Sequence, residues 1–503
     1  MKLLQPIEQF LALSPIKCTE ISLKLNQLST NKTNLKGLAR KFKECQDIKV
    51  LNLSLPSTQI NEEDTFLLAS GISTLQNLIS LEISIQFNKI GSQGVFLLST
   101  AFTNFQNLNK LNIFLHQNEI GDSGVIGLST GLRYCTNLKK LTLGLSQNSI
   151  GNKGVPHLFQ SLSQCFSLQN VGLYLNSNNI EDEGLCNLQN LSSCQQLKQL
   201  ILFLDNNQIG LQKDDATNLV QAIAKIQSLQ QLNLSIAQNK VGPKMTQQLS
   251  AAVRMNQNIN SLELNLNDNL IGDEGIEAMA CEMAKWENIQ NLELLLNFNW
   301  LRNKSVSCLS KSLGKQEKLE NLLISLQDNY IEDESLQETG IEFNKLQNLK
   351  CLNLMLNNSQ KGLCDLIDQI SQNGNIQKLI LSSSSGMFED RGLNDIGKEI
   401  KKCKNLQYLT IQLTSDEITD QGVKNLLKQI SECERLNDLS IQIISDLIEG
   451  KQLRQLSNYI TNLKNLRCLD FSVVSNNFDD QSCYQLINDF KKINSLILLQ
   501  YSF

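Results

Sequence analysis

The sequence predicts an α/β repeat solenoid, a row of strand–turn–helix units stacked side by side. A leucine-rich phrase recurs about every 30 residues along nearly the whole chain. Within each phrase the spacing of apolar residues changes once, from two residues to three or four, and an asparagine recurs where the change occurs. Self-similarity at a fixed period is the signature of a repeat array, so 503 residues need not mean several globular domains.

The period is clearest from Leu138 to Ser167, LKKLTLGLSQNSIGNKGVPHLFQSLSQCFS. Nearly every step between units is 30 residues; the exceptions are one of 29, one of 32 and two of 27. About 17 units result. Their positions equivalent to Leu138 are Cys18, Ile48, Leu78, Leu108, Leu168, Leu197, Leu229, Ile259, Ile289, Leu319, Leu349, Ile376, Leu406, Leu436, Leu466 and Ile493.

Each unit begins as a strand and ends as a helix. Alternation of buried with polar positions is typical of a half-buried strand, as at Leu141, Leu143 and Leu145. Steps of three and four residues then indicate an amphipathic helix, as at Val155, Leu158, Leu162 and Cys165. Neither face could be buried by one unit alone, so stacked units must share a continuous core.

The asparagine column predicts how the turns are held. A buried amide can pair backbone groups of its own and the neighbouring turn. The column comprises Asn88, Asn118, Asn148, Asn178, Asn207, Asn239, Asn269, Asn299, Asn329 and Asn476. Four units are expected to replace the amide with another hydrogen-bond acceptor, at Thr58, Ser359, Asp416 and Asp446.

The phrase LxxLxL…NxIGxxGxxxLxxxLxxC resembles leucine-rich repeats of the long class typified by ribonuclease inhibitor, over residues 18 to about 500. It departs from the usual LxxLxLxxNxL by two extra residues on the strand side, a variant associated with large ciliate families. Some of those families carry a protein kinase domain, but no kinase motif occurs here. The resemblance implies a horseshoe with a parallel concave sheet and convex helices, as does the wider spacing of helices than of strands.

The ends and two short units are expected to be irregular. Residues 1–17 are predicted to form an N-terminal cap before a solenoid at 18–503, and residues 382–390 a break in the ladder or a mobile loop. Apolar residues of the predicted cap are Leu3, Leu4, Ile7, Phe10 and Leu11. The strand containing Leu496 and Leu498, with Phe503 after it, has no covering helix, so contact of this edge with a partner or second copy is expected.

Composition excludes several classes of function. A net charge of −5 argues against a nucleic-acid partner, and no apolar run is long enough to span a membrane. Six cysteines recur three residues before the positions equivalent to Leu138. Buried there, free thiols would behave as small apolar side chains, so we expect no disulfides and a reducing, cytoplasmic compartment. The six are Cys45, Cys135, Cys165, Cys194, Cys403 and Cys433. Over-use of Asn, Gln, Lys and Ile suggests an AT-rich genome such as a ciliate's, where a ciliary or cytoskeletal role is plausible.

No constellation of residues predicts catalysis, a metal or a cofactor. The two histidines, His116 and His157, lack cysteine or carboxylate neighbours at metal-ligand spacing. Acidic clusters at 181–183, 273–274 and 332–334 sit where helices begin, which the helix dipole explains, and lysines at 398–404 sit at a helix end. We therefore expect a protein that is not an enzyme.

The outward strand positions and the following loops hold the best binding candidates. Aromatic and large apolar residues there resemble the anchors of a protein interface, although cross-strand packing explains them equally well. They are Phe114, Tyr174, Phe203, Leu295, Phe298, Trp300, Leu323 and Tyr330. The expected function is a non-enzymatic scaffold or adaptor that binds a protein partner. The alternative, since relatives of the class include both, is regulation of an enzyme in trans, as an inhibitor or a GTPase activator.

Overall fold

A computed structural model describes residues 2–4, 10–11, 18–24, 32–210, 217–357, 360–384, 388–450, 456–475, 477, 480–491, 493 and 496–502. The chain divides into two compact units, one of residues 1–241 and 255–264, the other of residues 242–254 and 265–503. Both are solenoids of alternating strands and helices, as the repeat predicts.

The strands of the first unit pair in parallel with their neighbours in sequence. Equivalent residues of consecutive repeats face one another, so Leu81 pairs with Leu111 and Leu111 with Leu141. The strand at Lys140–Gly144 begins one residue before Leu141, where the two-residue alternation predicts a strand, and its counterparts begin at the equivalent residue. The strands are Lys2–Leu4, Glu20–Lys24, Val50–Ser54, Ser80–Ser84, Lys110–Phe114, Lys140–Gly144, Asn170–Tyr174, Gln199–Phe203, Gln231–Ser235 and Ser261–Asn265, the last of which lies in this unit up to Leu264.

A helix follows most strands of the first unit, at Lys32–Glu44, Glu62–Ile72, Gly91–Thr100, Gly121–Leu132, Val155–Leu162 and Thr217–Lys225, with a short 3₁₀ helix at Ala101–Asn104. The exception is the repeat that starts at Leu168, where two 3₁₀ helices, Asp182–Leu185 and Leu188–Ser193, replace the expected α-helix. This repeat has one residue fewer, and a 3₁₀ helix covers more length per residue.

The second unit repeats the arrangement with longer strands towards its end. Its strands are Asn291–Leu295, Asn321–Ser325, Cys351–Leu356, Lys378–Ser383, Tyr408–Thr414, Asp438–Ile444, Cys468–Val474 and Leu498–Ser502. Its helices are Gly242–Met255, Gly272–Met283, Asn303–Leu313, Glu334–Asn344, Gln360–Ser371, Asp390–Ile400, Asp420–Ile430, Leu456–Ile460 and Asp480–Lys491. From Asn291–Leu295 to Leu498–Ser502, each strand pairs in parallel with its neighbour in sequence.

The expected break in the ladder near residue 382 is wrong. Lys378–Ser383 pairs over six residues with Cys351–Leu356 on one side and with Tyr408–Leu413 on the other. Without the asparagine turn this strand has six residues instead of the five of most earlier strands, and its neighbours have six and seven, so the pairing continues to Ser383. Residues 385–387 of the expected loop lie outside the described part of the chain.

The N-terminal segment joins the sheet. Lys2–Leu4 pairs in parallel with Ile21–Leu23, and the buried ring of Phe10 lies 6.1 Å from that of Phe42. Ile7, in the predicted cap, and Phe503, in the predicted C-terminal edge, lie outside the described residues. Among the helices described, none is long and apolar enough to cross a membrane.

The asparagine column holds the turns as predicted. Asn148 is 1% exposed; its Oδ1 accepts from the amides of Asn118 (2.8 Å) and Ile120 (3.4 Å) in the preceding repeat. Its Nδ2 donates to the carbonyls of Leu115 (2.9 Å) and Leu145 (3.1 Å). One side chain therefore pairs buried backbone groups of two repeats.

Two of the expected replacements in this column are wrong. Thr58 is buried in the column, as expected, although its hydroxyl donates to the Leu55 carbonyl; Asp416 and Asp446 are exposed. Serines one position earlier take the role: Ser415 Oγ donates to Phe388 O (3.0 Å), and Ser445 Oγ donates to the carbonyl of Ile418 (2.7 Å). Seven-residue strands run two residues further in these repeats, so the buried position moves close to the strand end. Ser359 and Asn476 lie outside the described residues.

Candidate protein-binding surfaces

The first candidate surface is a row of half-buried aromatic side chains on the sheet of the first unit. Strand register places Phe114, Gly144, Tyr174 and Phe203 side by side on one face. The rings of Tyr174 and Phe203 meet edge to face, with centroids 5.0 Å apart. Cross-strand packing therefore accounts for much of this row.

His116 completes the row. Its ring stacks on Phe114 with centroids 6.3 Å apart, and its Nδ1 accepts from the amide of Ser146 at 3.2 Å. A Cβ at Gly144 would lie 2.3 Å from His116 Nε2, so only glycine leaves room for the imidazole. Burial lowers the pKa of His116, which favours the neutral ring that this hydrogen bond requires. The packing and hydrogen bonding of the fold therefore account for His116.

The second candidate surface lies in the second unit and is more exposed. Leu270, Trp300 and Tyr330 occupy the same position in three consecutive repeats, just beyond the strands. Trp300 is 60% and Tyr330 65% exposed, and Leu270 and Phe298 are exposed as well. Leu270, Phe298 and Trp300 have φ between 56° and 59°, a left-handed conformation that is unusual for large side chains. We call Leu270, Phe298, Trp300 and Tyr330 the loop patch.

Sequence comparison within the repeat could have identified Leu270 too, because it falls 30 residues before Trp300. The predicted Leu295 and Leu323 are half-buried on neighbouring strands of the sheet, where Leu295 pairs with Ser325 and Leu323 with Glu293. The structure thus brings Trp300 and Tyr330 together on one groove, which neither of these leucines lines.

The groove beside the loop patch has a volume of about 800 Å³. Besides Trp300 and Tyr330, its lining residues are Asp273, Arg302, Asn303, Lys304 and Glu332. Asn297, Gln327 and Asp328, which lie near the ends of the same strands, are not among the lining residues. Asn297 is engaged within the fold, since its Oδ1 accepts from Ser325 Oγ (2.7 Å) and from the amide of Gln327 (2.8 Å).

Bonds between consecutive repeats fix the polar wall of the groove. Asp273 Oδ1 accepts from the Arg302 amide at 2.8 Å, and Asn303 exchanges two 2.8 Å hydrogen bonds with Glu332. Lys304 pairs with Glu277 at 2.8 Å. The acidic clusters at 273–274 and 332–334 therefore also hydrogen-bond to the neighbouring loop, in addition to lying where helices begin.

Hydrogen bonds between an aspartate and the backbone of the next repeat also occur elsewhere in both units. Asp122 Oδ1 accepts from the amides of Gly151 and Gly154 at 2.8 Å, and Asp390 Oδ1 from the amide of Thr419 at 2.8 Å. The lysines at 398–404 are likewise engaged: Lys398 pairs with Asp395 and Lys402 with Asp368, both at 2.8 Å. These charges have structural partners.

Burial keeps four thiols of the cysteine column in the protonated form. Cys135, Cys165, Cys403 and Cys433 are buried, and desolvation raises the pKa of each thiol to about 12. Nucleophilic chemistry needs the thiolate, which this environment disfavours. Across the described part of the chain, no three His, Cys, Asp or Glu side chains gather as a metal site would require.

No protein-family model matches this sequence, and no curated protein matches it either.

Proposed function

We propose that this chain is a non-enzymatic scaffold or adaptor that binds a protein partner, and that its repeats are leucine-rich repeats of the long, ribonuclease-inhibitor-like class. The observation that carries the proposal is the loop patch, in which three consecutive repeats expose a large apolar side chain at one position. Isolated exposed apolar residues are ordinary, whereas contiguous ones beside a groove mark binding surfaces.

Two contrasts within the chain support a binding role. The other tryptophan, Trp286, is buried and donates from Nε1 to the Ser250 carbonyl at 3.1 Å, as tryptophans that serve the fold do. The Trp300 side chain has no hydrogen-bond partner among the described residues, and the amides on either side of it, of Asn299 and Leu301, both donate to Asn329 Oδ1 at 3.0 Å. A preformed surface of this kind binds with little loss of conformational entropy. The buried, protonated thiols suit a reducing, cytoplasmic compartment.

The test is loss of a partner without loss of the fold. A partner captured from an extract of the source cells should bind the Trp300→Ala/Tyr330→Ala variant at least about tenfold more weakly, because interface anchors cost roughly 2 kcal/mol or more on truncation. The melting temperature should hardly change, since both side chains are exposed. The matched control is Phe66→Ala/Phe166→Ala, two aromatic residues of the first unit that are 54% and 61% exposed. Equal binding by both variants would contradict the proposal.

A further inference from the structure

We propose that the loop patch and its groove bind a cationic segment of the partner, rich in lysine or arginine; the inference rests on the proposed function and specifies its chemistry. The first argument is charge. The three loops at 268–274, 298–304 and 328–334 carry seven carboxylates and two cations. One of the cations, Lys304, is already paired with Glu277. A surface this acidic attracts a basic partner and repels an acidic one.

The second argument is the chemistry of the exposed rings. Faces of tryptophan and tyrosine attract ammonium and guanidinium groups, most strongly when carboxylates lie nearby. Trp300 and Tyr330 share the groove with Asp273 and Glu332. The cation–π pair found among the described residues joins Arg133 to Tyr134, so both groove rings are free of such a contact.

The third argument is the position of two aspartates. Asp268 and Asp328 occupy the place of Phe298 in the preceding and following repeats, and both are exposed. Like Phe298 they are left-handed, with φ of 54° and 56°. They therefore place exposed carboxylates on both sides of Phe298 along the same edge; Asp328 Oδ1 also accepts from Asn357 Nδ2 at 3.1 Å.

Arg302 opposes this assignment. It is exposed, lines the groove, and its guanidinium has no ion pair among the described residues. A bound cation would be repelled by it. The proposal therefore predicts opposite effects from two kinds of charge removal, which a nonspecific apolar surface would not produce.

Trp300 itself provides the first test, because the only other tryptophan is buried. The difference in fluorescence between the native chain and Trp300→Phe isolates the Trp300 emission. Each quenching constant is divided by the one that the same ion gives with free N-acetyltryptophanamide, because caesium is intrinsically the weaker quencher. The normalised quenching by caesium should exceed that by iodide, since local negative potential concentrates cations. A normalised value for iodide that equals or exceeds the value for caesium would overturn the proposal.

The second test uses hexalysine and hexaglutamate peptides, titrated at low ionic strength with Trp300 emission as the readout. Hexalysine should bind and hexaglutamate should not. Asp268→Asn/Asp328→Asn should weaken hexalysine binding about three- to tenfold, and Arg302→Gln should strengthen it. Asparagine tolerates the left-handed backbone, so the first variant should fold normally. Preference for hexaglutamate would overturn the cationic assignment while leaving partner binding intact, whereas unchanged capture by Trp300→Ala/Tyr330→Ala would refute the proposed function itself.

Discussion

Replacement of Asn148 by leucine tests whether the hydrogen bonds of the buried asparagine column stabilise the turns. Leucine has the same branched arrangement of side-chain heavy atoms but cannot pair the amides of Asn118 and Ile120 or the carbonyls of Leu115 and Leu145. Each buried backbone group left unpaired costs about 1–3 kcal/mol. The two carbonyls keep a second donor, since Asn118 Nδ2 donates to Leu115 O and Asn178 Nδ2 donates to Leu145 O, both at 3.1 Å. The two amides at the lower figure therefore give about 2 kcal/mol, before any relaxation of the turn.

The loss should be local, because a repeat contacts mainly its neighbours. Native-state hydrogen exchange should show the amides of Asn118 and Ile120 losing protection, while strand Asp438–Ile444 in the second unit keeps its own. The control is Asn137→Leu, an exposed asparagine that donates to the Gln106 carbonyl at 2.8 Å, with an expected cost of at most about 0.5 kcal/mol. A cost below about 1 kcal/mol for Asn148→Leu would refute the reasoning.

Three further predictions concern buried groups. Burial lowers the pKa of His116 from 6.5, so the unfolded chain takes up a proton on this residue more readily than the folded chain does. The free energy of unfolding, measured in urea, should therefore fall as the pH drops below about 6.5, and it should fall less in His116→Gln. Ser415→Ala should cost about 2 kcal/mol in urea unfolding because it strips the Phe388 backbone of its partner, while Asp416→Ala should cost at most about 0.5 kcal/mol. A thiol reagent followed by mass spectrometry should label the exposed Cys281 and leave Cys165 unmodified, since a pKa raised from 9.0 to about 12 reduces the thiolate about a thousandfold.

Periodicity made most of the fold predictable. The strands at Val50–Ser54, Ser80–Ser84 and Lys110–Phe114 each begin one residue before the first leucine of the two-residue alternation. The change from that alternation to steps of three or four residues indicates a strand followed by a helix. The 3₁₀ helices at 182–193 also left a signal: Leu185, Leu188 and Leu191 are spaced by three, the period of that helix.

Contacts between neighbouring repeats could not be predicted from the sequence of a single repeat. Nothing local distinguishes Asp416 from a column residue; it is the longer pairing of its strand with the neighbours that moves the buried site to Ser415. The bond from the Arg302 amide to Asp273 is similar, since it joins residues 29 positions apart. In the candidate site, sequence identified Trp300 and Tyr330 but not the charged groove wall.

The most direct test of the proposed binding surface is a hydrogen-exchange footprint of the chain in complex with its partner. The account predicts protection in the loops at 268–274, 298–304 and 328–334, with little change at the exposed aromatic residues Phe66 and Phe166 of the first unit. Protection confined to the first unit, with all three loops exchanging as in the free protein, would contradict it.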